Sequence, residues 1–167
     1  MSAAAGTAVI TALLPVLRRF ARKLAGSAAE GDDLLQESCE RMLKFLRRTP
    51  EAEIGRAWCY AVVRNCWIDL HRRRSRLDAF TRPLAEGEDI DSLHRINAPD
   101  LHFDDIWRHV DRLPPIHRET ILLCCIEDLS SEEAAAVLDV PAGTVRSRLA
   151  RAKLALADAI GVEVSHG

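Results

Sequence analysis

The residues best suited to chemistry gather near the end of the chain. Thr144, Ser147, Arg148 and Arg151 recur at i, i+3, i+4 and i+7, so they share one face of a helix, with Arg146 and Lys153 flanking it. Between Pro141 and Leu156 there are four positive charges and no negative one. A row of guanidinium groups holds phosphates and reads guanine edges bidentately, and Thr or Ser near a helix start suits phosphate contacts. A second basic cluster comprises Arg64, Arg72, Arg73, Arg74 and Arg76, opposed by Asp69. It lies beside Asn65, Trp58, Tyr60 and Trp67, a mixture of phosphate clamps and stacking partners that suits nucleic acid. On residue types alone it is equally a solvated face that complements a helix end. A third set is acidic: Asp33, Glu37, Glu40 and Lys44, with Gln36 adjacent. Three readings of it stay open, namely a solvated face, a carboxylate pair for Mg²⁺, and a docking surface for a basic partner. No second carboxylate cluster completes a cation cage.

These residues need helices to position them, and the apolar spacing supplies helices. Ile10, Leu13, Leu14, Leu17, Ala21 and Leu24 define a first helix, firm from Pro15 or kinked there, and ended by Gly26. Ser27 and Glu30 have capping-box spacing for a second, with the apolar stripe Leu35, Cys39, Met42 and Leu46. A third runs from Arg56 to Leu77, burying Trp58, Val62 and Cys66 with Val63, Trp67 and Leu70 beside them. Later in the chain, Phe103, Ile106, Trp107, Val110 and Leu113 mark an amphipathic helix stopped by Pro114 and Pro115. Ile116 to Ile126 is apolar almost all round and should be central. Ser130 and Glu133 cap a short helix through Leu138, and Pro141 opens the last one, which buries Val145, Leu149, Ala152 and Leu156. A short helix, a tight turn and a longer helix make a helix-turn-helix, with Ala135 small at the expected crossing and Val145 ready to pack against it.

Composition agrees with an all-α protein of two small helical domains. Of 167 residues 48% are hydrophobic and only 5% aromatic, with 8 Gly, which favours helix over sheet. The net charge of −2 hides a partition. Residues 1–78 carry 14 Lys and Arg against 9 Asp and Glu, residues 79–102 carry 2 against 5, and residues 103–167 carry 7 against 11. The middle stretch, with Pro83, Gly87 and Pro99 and no apolar periodicity, reads as a flexible acidic linker. The expected organisation is a domain over 1–78, a linker over 79–102, a second domain over 103–160 and a tail over 161–167. No apolar run exceeds about six residues against the roughly 20 of a membrane helix, and no basic leader precedes the first helix, so no membrane insertion is expected. Cys39, Cys59, Cys66, Cys124 and Cys125 are odd in number and lack zinc spacing with any His, which points to a reducing cytoplasm, thiols packed in cores and no metal site.

Taken in order, the motifs carry a resemblance. Asp32-Asp33-Leu34-Leu35-Gln36-Glu37 resembles the core-polymerase-binding helix of bacterial sigma factors. Arg56-Ala57-Trp58 through Arg64-Asn65, and Ile68-Asp69 to Arg72-Arg73-Arg74, resemble their promoter −10 segment. Leu113-Pro114-Pro115 through Arg118-Glu119, then Leu129-Ser130, Glu133-Ala134-Ala135 and the run Gly143 to Ala152, resemble their −35-reading domain. The short two-domain form is similar to the extracytoplasmic-function (ECF) subgroup.

The resemblance implies a region 2-like bundle and a region 4-like helix-turn-helix domain in a non-enzymatic initiation factor that needs no cofactor. Asp33, Gln36 and Glu37 match positions that grip the clamp coiled coil of core RNA polymerase. Arg64, Asn65, Asp69, Arg72 and Arg73 match the surface engaging the melted −10 element, to which Arg76 of the same cluster is added. The loop from Thr49 to Gly55 matches one that captures a flipped base. Arg146, Arg148 and Arg151 match −35 contacts, with Thr144 and Ser147 completing that DNA face. Implied partners are core polymerase, through clamp and flap, promoter DNA, and a cognate anti-sigma factor. Ser131, Ala134 and Asp139 depart from the family's usual aromatic, Ile and Gly. Two alternatives set aside the resemblance: a free-standing helix-turn-helix regulator, and a Mg²⁺-dependent helical hydrolase built on Asp33, Glu37 and Glu40.

Overall fold

Helix α1 (Ala3–Ala25) and helix α2 (Ala28–Arg48) meet at Gly26, whose φ of 81° turns the chain between them. The computed structural model describes residues 3–81 and 103–160. Its remaining elements are α3 (Arg56–Thr81), α4 (Phe103–Asp111), α5 (Pro115–Ile121), a π-helical segment (Leu122–Ile126), α6 (Ser131–Leu138) and α7 (Ala142–Ile160). Every regular element among the described residues is helical, and the chain divides into two compact units, Met1–Asp89 and Ile90–Gly167. Since α3 continues through Thr81, the linker expected from residue 79 starts no earlier than residue 82; its remainder and the tail lie outside the described residues.

In the first unit α1 packs on α2 and α3. Its buried residues Ile10, Leu17, Phe20, Ala21 and Leu24 keep helical spacing. By length and composition α1 would also suit a membrane, yet this apolar face is spent on the unit's core. Pro15 neither starts nor ends the helix. It stands on the exposed face, where the carbonyl it leaves without an N–H donor meets water. The α1–α2 contact is close at Gly31, where a Cβ would fall 2.7 Å from the Arg22 backbone nitrogen and 2.6 Å from its Cγ. Beside it, Arg22 clamps Asp32 with two N–H groups at 3.0 and 2.8 Å, and Arg18 adds a contact at 3.4 Å. The Arg22 guanidinium holds the Asp32 carboxyl below its usual range.

Two expected faces are corrected. On α2 the buried set is Gly31, Leu34, Leu35, Ser38, Met42 and Leu46, while Cys39 is only half-buried. Neighbours on two sides widen the stripe, and Ser38 enters the core because its hydroxyl donates to Leu34 O at 2.7 Å. On α3 the fully buried residues are Cys59, Tyr60, Val63 and Cys66, with Trp58, Val62, Trp67 and Leu70 half-buried. Tyr60, a candidate stacking partner for nucleic acid, instead packs edge-on against Phe20 at 4.9 Å. Burial pushes the Cys59 thiol up to about 11 and raises Cys66 as well, as expected of inert core cysteines.

The second unit builds its core from Val110, Leu113, Ile121 and Ala152, with Trp107, Leu149, Ala155 and Leu156 packed against them. The central segment is not one α-helix. It passes from α5 into a π-helical turn, closed by Glu127 N–H to Leu122 O and Leu129 N–H to Leu123 O, with Asp128 at a φ of 52°. Nor is it apolar all round, since Ile116 and Cys125 are exposed while Arg118 and Thr120 are buried. Thr120 donates to Ile116 O at 2.6 Å and Arg118 to Leu113 O at 3.1 Å. Cys125 is therefore not the core thiol expected from its apolar surroundings.

Both capping sites form, with a difference. At α6 the box is reciprocal: Glu133 N–H donates to Ser130 Oγ at 3.1 Å and Ser130 N–H to Glu133 Oε2 at 2.9 Å. At α2 the backbone side is single, Glu30 N–H to Ser27 Oγ at 3.2 Å. The turn between α6 and α7 passes through Asp139 in the left-handed region (φ 55°, ψ 49°), where a residue with a Cβ carries a cost of roughly 1–2 kcal/mol. Within α6 the fully buried alanine is Ala134, whereas Ala135, expected at the crossing, is half-buried.

Two stability outcomes follow. Gly31→Ala gains helix propensity but forces α1 and α2 apart, and should cost a net ~2 kcal/mol in urea unfolding of the first unit. Asp139→Gly should relieve the left-handed turn and stabilise the second unit by about 0.5–1 kcal/mol, while Asp139→Val should destabilise it.

Candidate functional site

The acidic set of α2 opens into a groove. Asp33, Gln36, Glu37, Glu40, Arg41, Lys44 and Arg73 line it, so the polar strip of α2 faces a basic side chain from α3. Asp33 and Gln36 are exposed and Glu37 is half-buried. The adjacent Asp32 is occupied by Arg22, so the two neighbouring aspartates have different tasks: one fastens α1 to α2, the other faces the groove.

On α3, at roughly 100° per residue, Asn65, Asp69, Arg72, Arg73 and Arg76 project within about a third of the helix circumference, whereas Arg64 falls about 80° outside that arc. Asn65, Arg72, Arg73 and Arg76 are exposed, and Arg64 and Asp69 half-buried. Two members of this surface region are drawn into α2. Asp69 Oδ2 accepts from Arg41 Nη1 at 2.7 Å, and Arg74 Nη1 donates to Glu30 Oε1 at 2.8 Å. Further along the helix His71 stacks on Trp67 at 5.1 Å, and its buried Nε2 has no hydrogen-bond partner among the described residues. Burial, then nearby Arg74, hold the imidazole below its ordinary 6.5, with Glu30 acting in the opposite direction. The loop between α2 and α3 is anchored by buried Ile54 and by the Thr49 hydroxyl donating to Phe45 O at 2.8 Å.

On α7 Ser147 and Arg151 are exposed, Thr144 and Arg148 half-buried, and Val145 and Ala152 face inward. Ser147 Oγ donates to Thr144 O at 3.0 Å. Arg146 leans toward α6 and pairs with Glu132 at 3.2 Å. Both side chains of that pair are well exposed, so it competes weakly with a phosphate.

Arg41 is the functional-looking residue that motif reading passed over. Its i,i+4 relation to Glu37 was a readable signal. Its bond to Asp69, 28 residues away, had no local signal.

The described residues thus form two helical units, one with a polar groove beside a basic helix and one ending in an arginine-faced helix-turn-helix. Residues 103–156 match the family model for sigma-70, region 4, and residues 10–64 that for the Sigma2 domain of PhyR. The chain is 30% identical over 161 residues to the ECF RNA polymerase sigma factor EcfG of Rhodopseudomonas palustris, covering 92% of this chain and 84% of that protein. It is 33% identical over 147 residues to the ECF RNA polymerase sigma factor SigE of Mycolicibacterium smegmatis, covering 84% of this chain and 55% of that longer protein. Among solved structures it superposes on the sigma factor RpoE, in complex with the anti-sigma factor NepR, from Bartonella quintana, with a TM-score of 0.71 and 26% identity over 93% of this chain and 96% of that one. The chain belongs to the ECF RNA polymerase sigma factors, and its role is in transcription initiation.

The His71 geometry yields a pH outcome. A lowered folded-state value means that, as pH falls below 6.5, the unfolded chain binds a proton before the folded one does, so stability declines on acidification. His71→Phe keeps the stack on Trp67 and removes the orphaned nitrogen. Urea unfolding should show this variant more stable by about 1 kcal/mol, with a smaller loss than wild type between about pH 7 and about pH 5.

Proposed function

We propose that the two units divide the work of promoter recognition. The groove on α2 binds core RNA polymerase through Asp33, Gln36 and Glu37. The α3 face of Arg64, Asn65, Asp69, Arg72, Arg73 and Arg76 engages the opened −10 strand, with the loop from Thr49 to Gly55 beside it. The α7 face of Thr144, Arg146, Ser147, Arg148 and Arg151 binds the −35 duplex. One observation carries this reading: the polar side chains of α2 and the arginines of α3 and α7 stay largely on the surface while the apolar positions of the same helices are buried. Where these residues are paired within their units, as Glu37 and Asp69 are with Arg41 and Arg146 with Glu132, the pairs remain partly exposed and open to a partner.

The RpoE complex supports an anti-sigma protein as a further partner for this chain. Exposed Ile106, Ile116 and Leu154 in the second unit supply apolar surface for a protein partner of that kind or for the polymerase flap. The site of action is the cytoplasm, where polymerase and promoter meet.

Run-off transcription from a pool of genomic promoters, with core polymerase and with or without this chain, tests the reading directly; transcripts should start at defined sites only when the chain is present. Asp33→Ala combined with Glu37→Ala should abolish co-purification with core and leave far-ultraviolet circular dichroism unchanged, because neither side chain belongs to the buried face of α2. Retained core binding would return that face to ordinary solvated surface. Arg148→Ala and Arg151→Ala should each cost about 1–3 kcal/mol in −35 binding by holoenzyme and relax preference at one base pair. Unchanged affinity and salt slope would remove them from the interface.

A further inference from the structure

Arg41 divides one guanidinium between two carboxylates on different helices. Nη2 donates to Glu37 Oε1 at 2.6 Å within α2, and Nη1 donates to Asp69 Oδ2 at 2.7 Å on α3. Glu37 and Arg41 line the α2 groove; Asp69 is not among its lining residues. The three side chains are 31–43% exposed, so the pairs are partly shielded from water yet within reach of a partner. The planar fork makes the arrangement possible, because separate N–H groups serve the two acceptors and neither bond must break for the other to form.

This sharing has a consequence for anything that enters the groove. A cationic or hydrogen-bond-donating group that takes Glu37 competes with Nη2, while Nη1 keeps its bond to Asp69. Because the two carboxylates share one delocalised charge, the Asp69 bond weakens the hold of Arg41 on Glu37 in the free chain. We propose that Arg41 is a positioning residue that couples the polymerase-binding groove to the −10 helix, yielding Glu37 to a basic group of the polymerase and turning its charge onto Asp69. The proposal rests on the reading of the groove as the polymerase-binding face. Coupling of this kind is reciprocal. Filling the groove concentrates the Arg41 charge on Asp69, a residue of the proposed −10 face. The groove and the −10 face are thus linked through the Arg41 side chain.

A four-way cycle on core binding tests it. Wild type, Asp69→Asn, Arg41→Gln and the double variant, each full length and fluorescently labelled, are titrated against purified core polymerase, with melting curves recorded for all four. Asp69→Asn lies outside the groove, yet it should weaken core binding about 3–10-fold, because loss of the Asp69 charge leaves Glu37 the one carboxylate sharing the guanidinium and so holds it more firmly. Arg41→Gln should bind core at least as tightly as wild type, and adding Asp69→Asn to it should change nothing further. That non-additivity separates coupling from a general structural role, which would weaken all three variants in line with their melting temperatures. Arg41→Lys, which keeps the charge and lacks the fork, serves in a second cycle if Arg41→Gln melts early, and should also remove the effect of Asp69→Asn. Wild-type core affinity for Asp69→Asn, or additive effects in the cycle, would overturn the coupling while leaving the groove assignment standing. Failure of wild type itself to bind core would overturn the assignment and the coupling together.

Discussion

Helix α2 is enclosed on two sides, and what remains of its surface is the strip available for a partner. On one side α1 approaches so closely at Gly31 that no side chain fits between the backbones. On another, α3 is tied to it by Arg41 with Asp69 and by Arg74 with Glu30. Two such neighbours bury Leu34, Leu35, Ser38, Met42 and Leu46 and leave Asp33, Gln36, Glu37, Glu40 and Lys44 along the groove. The apolar contacts, each burial worth about 1.5–3 kcal/mol for a large side chain, supply most of the adhesion. The exposed ion pairs add less individually and serve more to fix orientation.

Orientation matters because the contact groups proposed for this unit are mainly arginines and carboxylates, whose own pairings compete with a partner. The first unit spends some of its charges on itself: Arg22 on Asp32, Arg74 on Glu30, Arg41 on Glu37 and Asp69. Others stay at the surface, among them Asp33, Glu40 and Lys44 on α2 and Arg72, Arg73 and Arg76 on α3, with Arg73 reaching the groove as well. A single unit can in this way offer a polar groove to a basic protein surface and a positive face to a nucleic-acid strand.

Much of this was legible from local pattern, and the failures have local causes. Element order, the stop at Gly26, both capping sites and the helix-turn-helix were readable because each depends on residues within one or two turns. The Tyr60 expectation failed because aromatic residues near arginines look alike whether they stack on a base or on Phe20, and only the packing of α1 on α3 distinguishes them. The buried face of α3 was misplaced around the helix because its residues are apolar on several sides and periodicity there is shallow. Ile116 to Ile126 was read as one central α-helix, since nothing in an apolar run announces the extra residue of a π-turn. At the site, the motifs marked Asp33, Gln36, Glu37 and the arginines, but the Arg41–Asp69 bond is a product of tertiary structure and had no sequence trace.

The second unit shows how α7, the proposed −35 helix, is held by a turn that is not optimal for stability. Helix α6 lies between two aspartates in the left-handed conformation, Asp128 before it and Asp139 after it. Glycine would occupy either position with less strain. Both turns nonetheless form, because the segments they join are pinned from within: Leu129, Ala134, Val137 and Leu138 are buried on one side of the second turn and Val145 on the other. The reciprocal Ser130–Glu133 box adds a fixed start for α6. Packing thus overrides the backbone preference of two residues, and the direction of α7, with its arginines, is set by the core beneath it and not by the turn that precedes it.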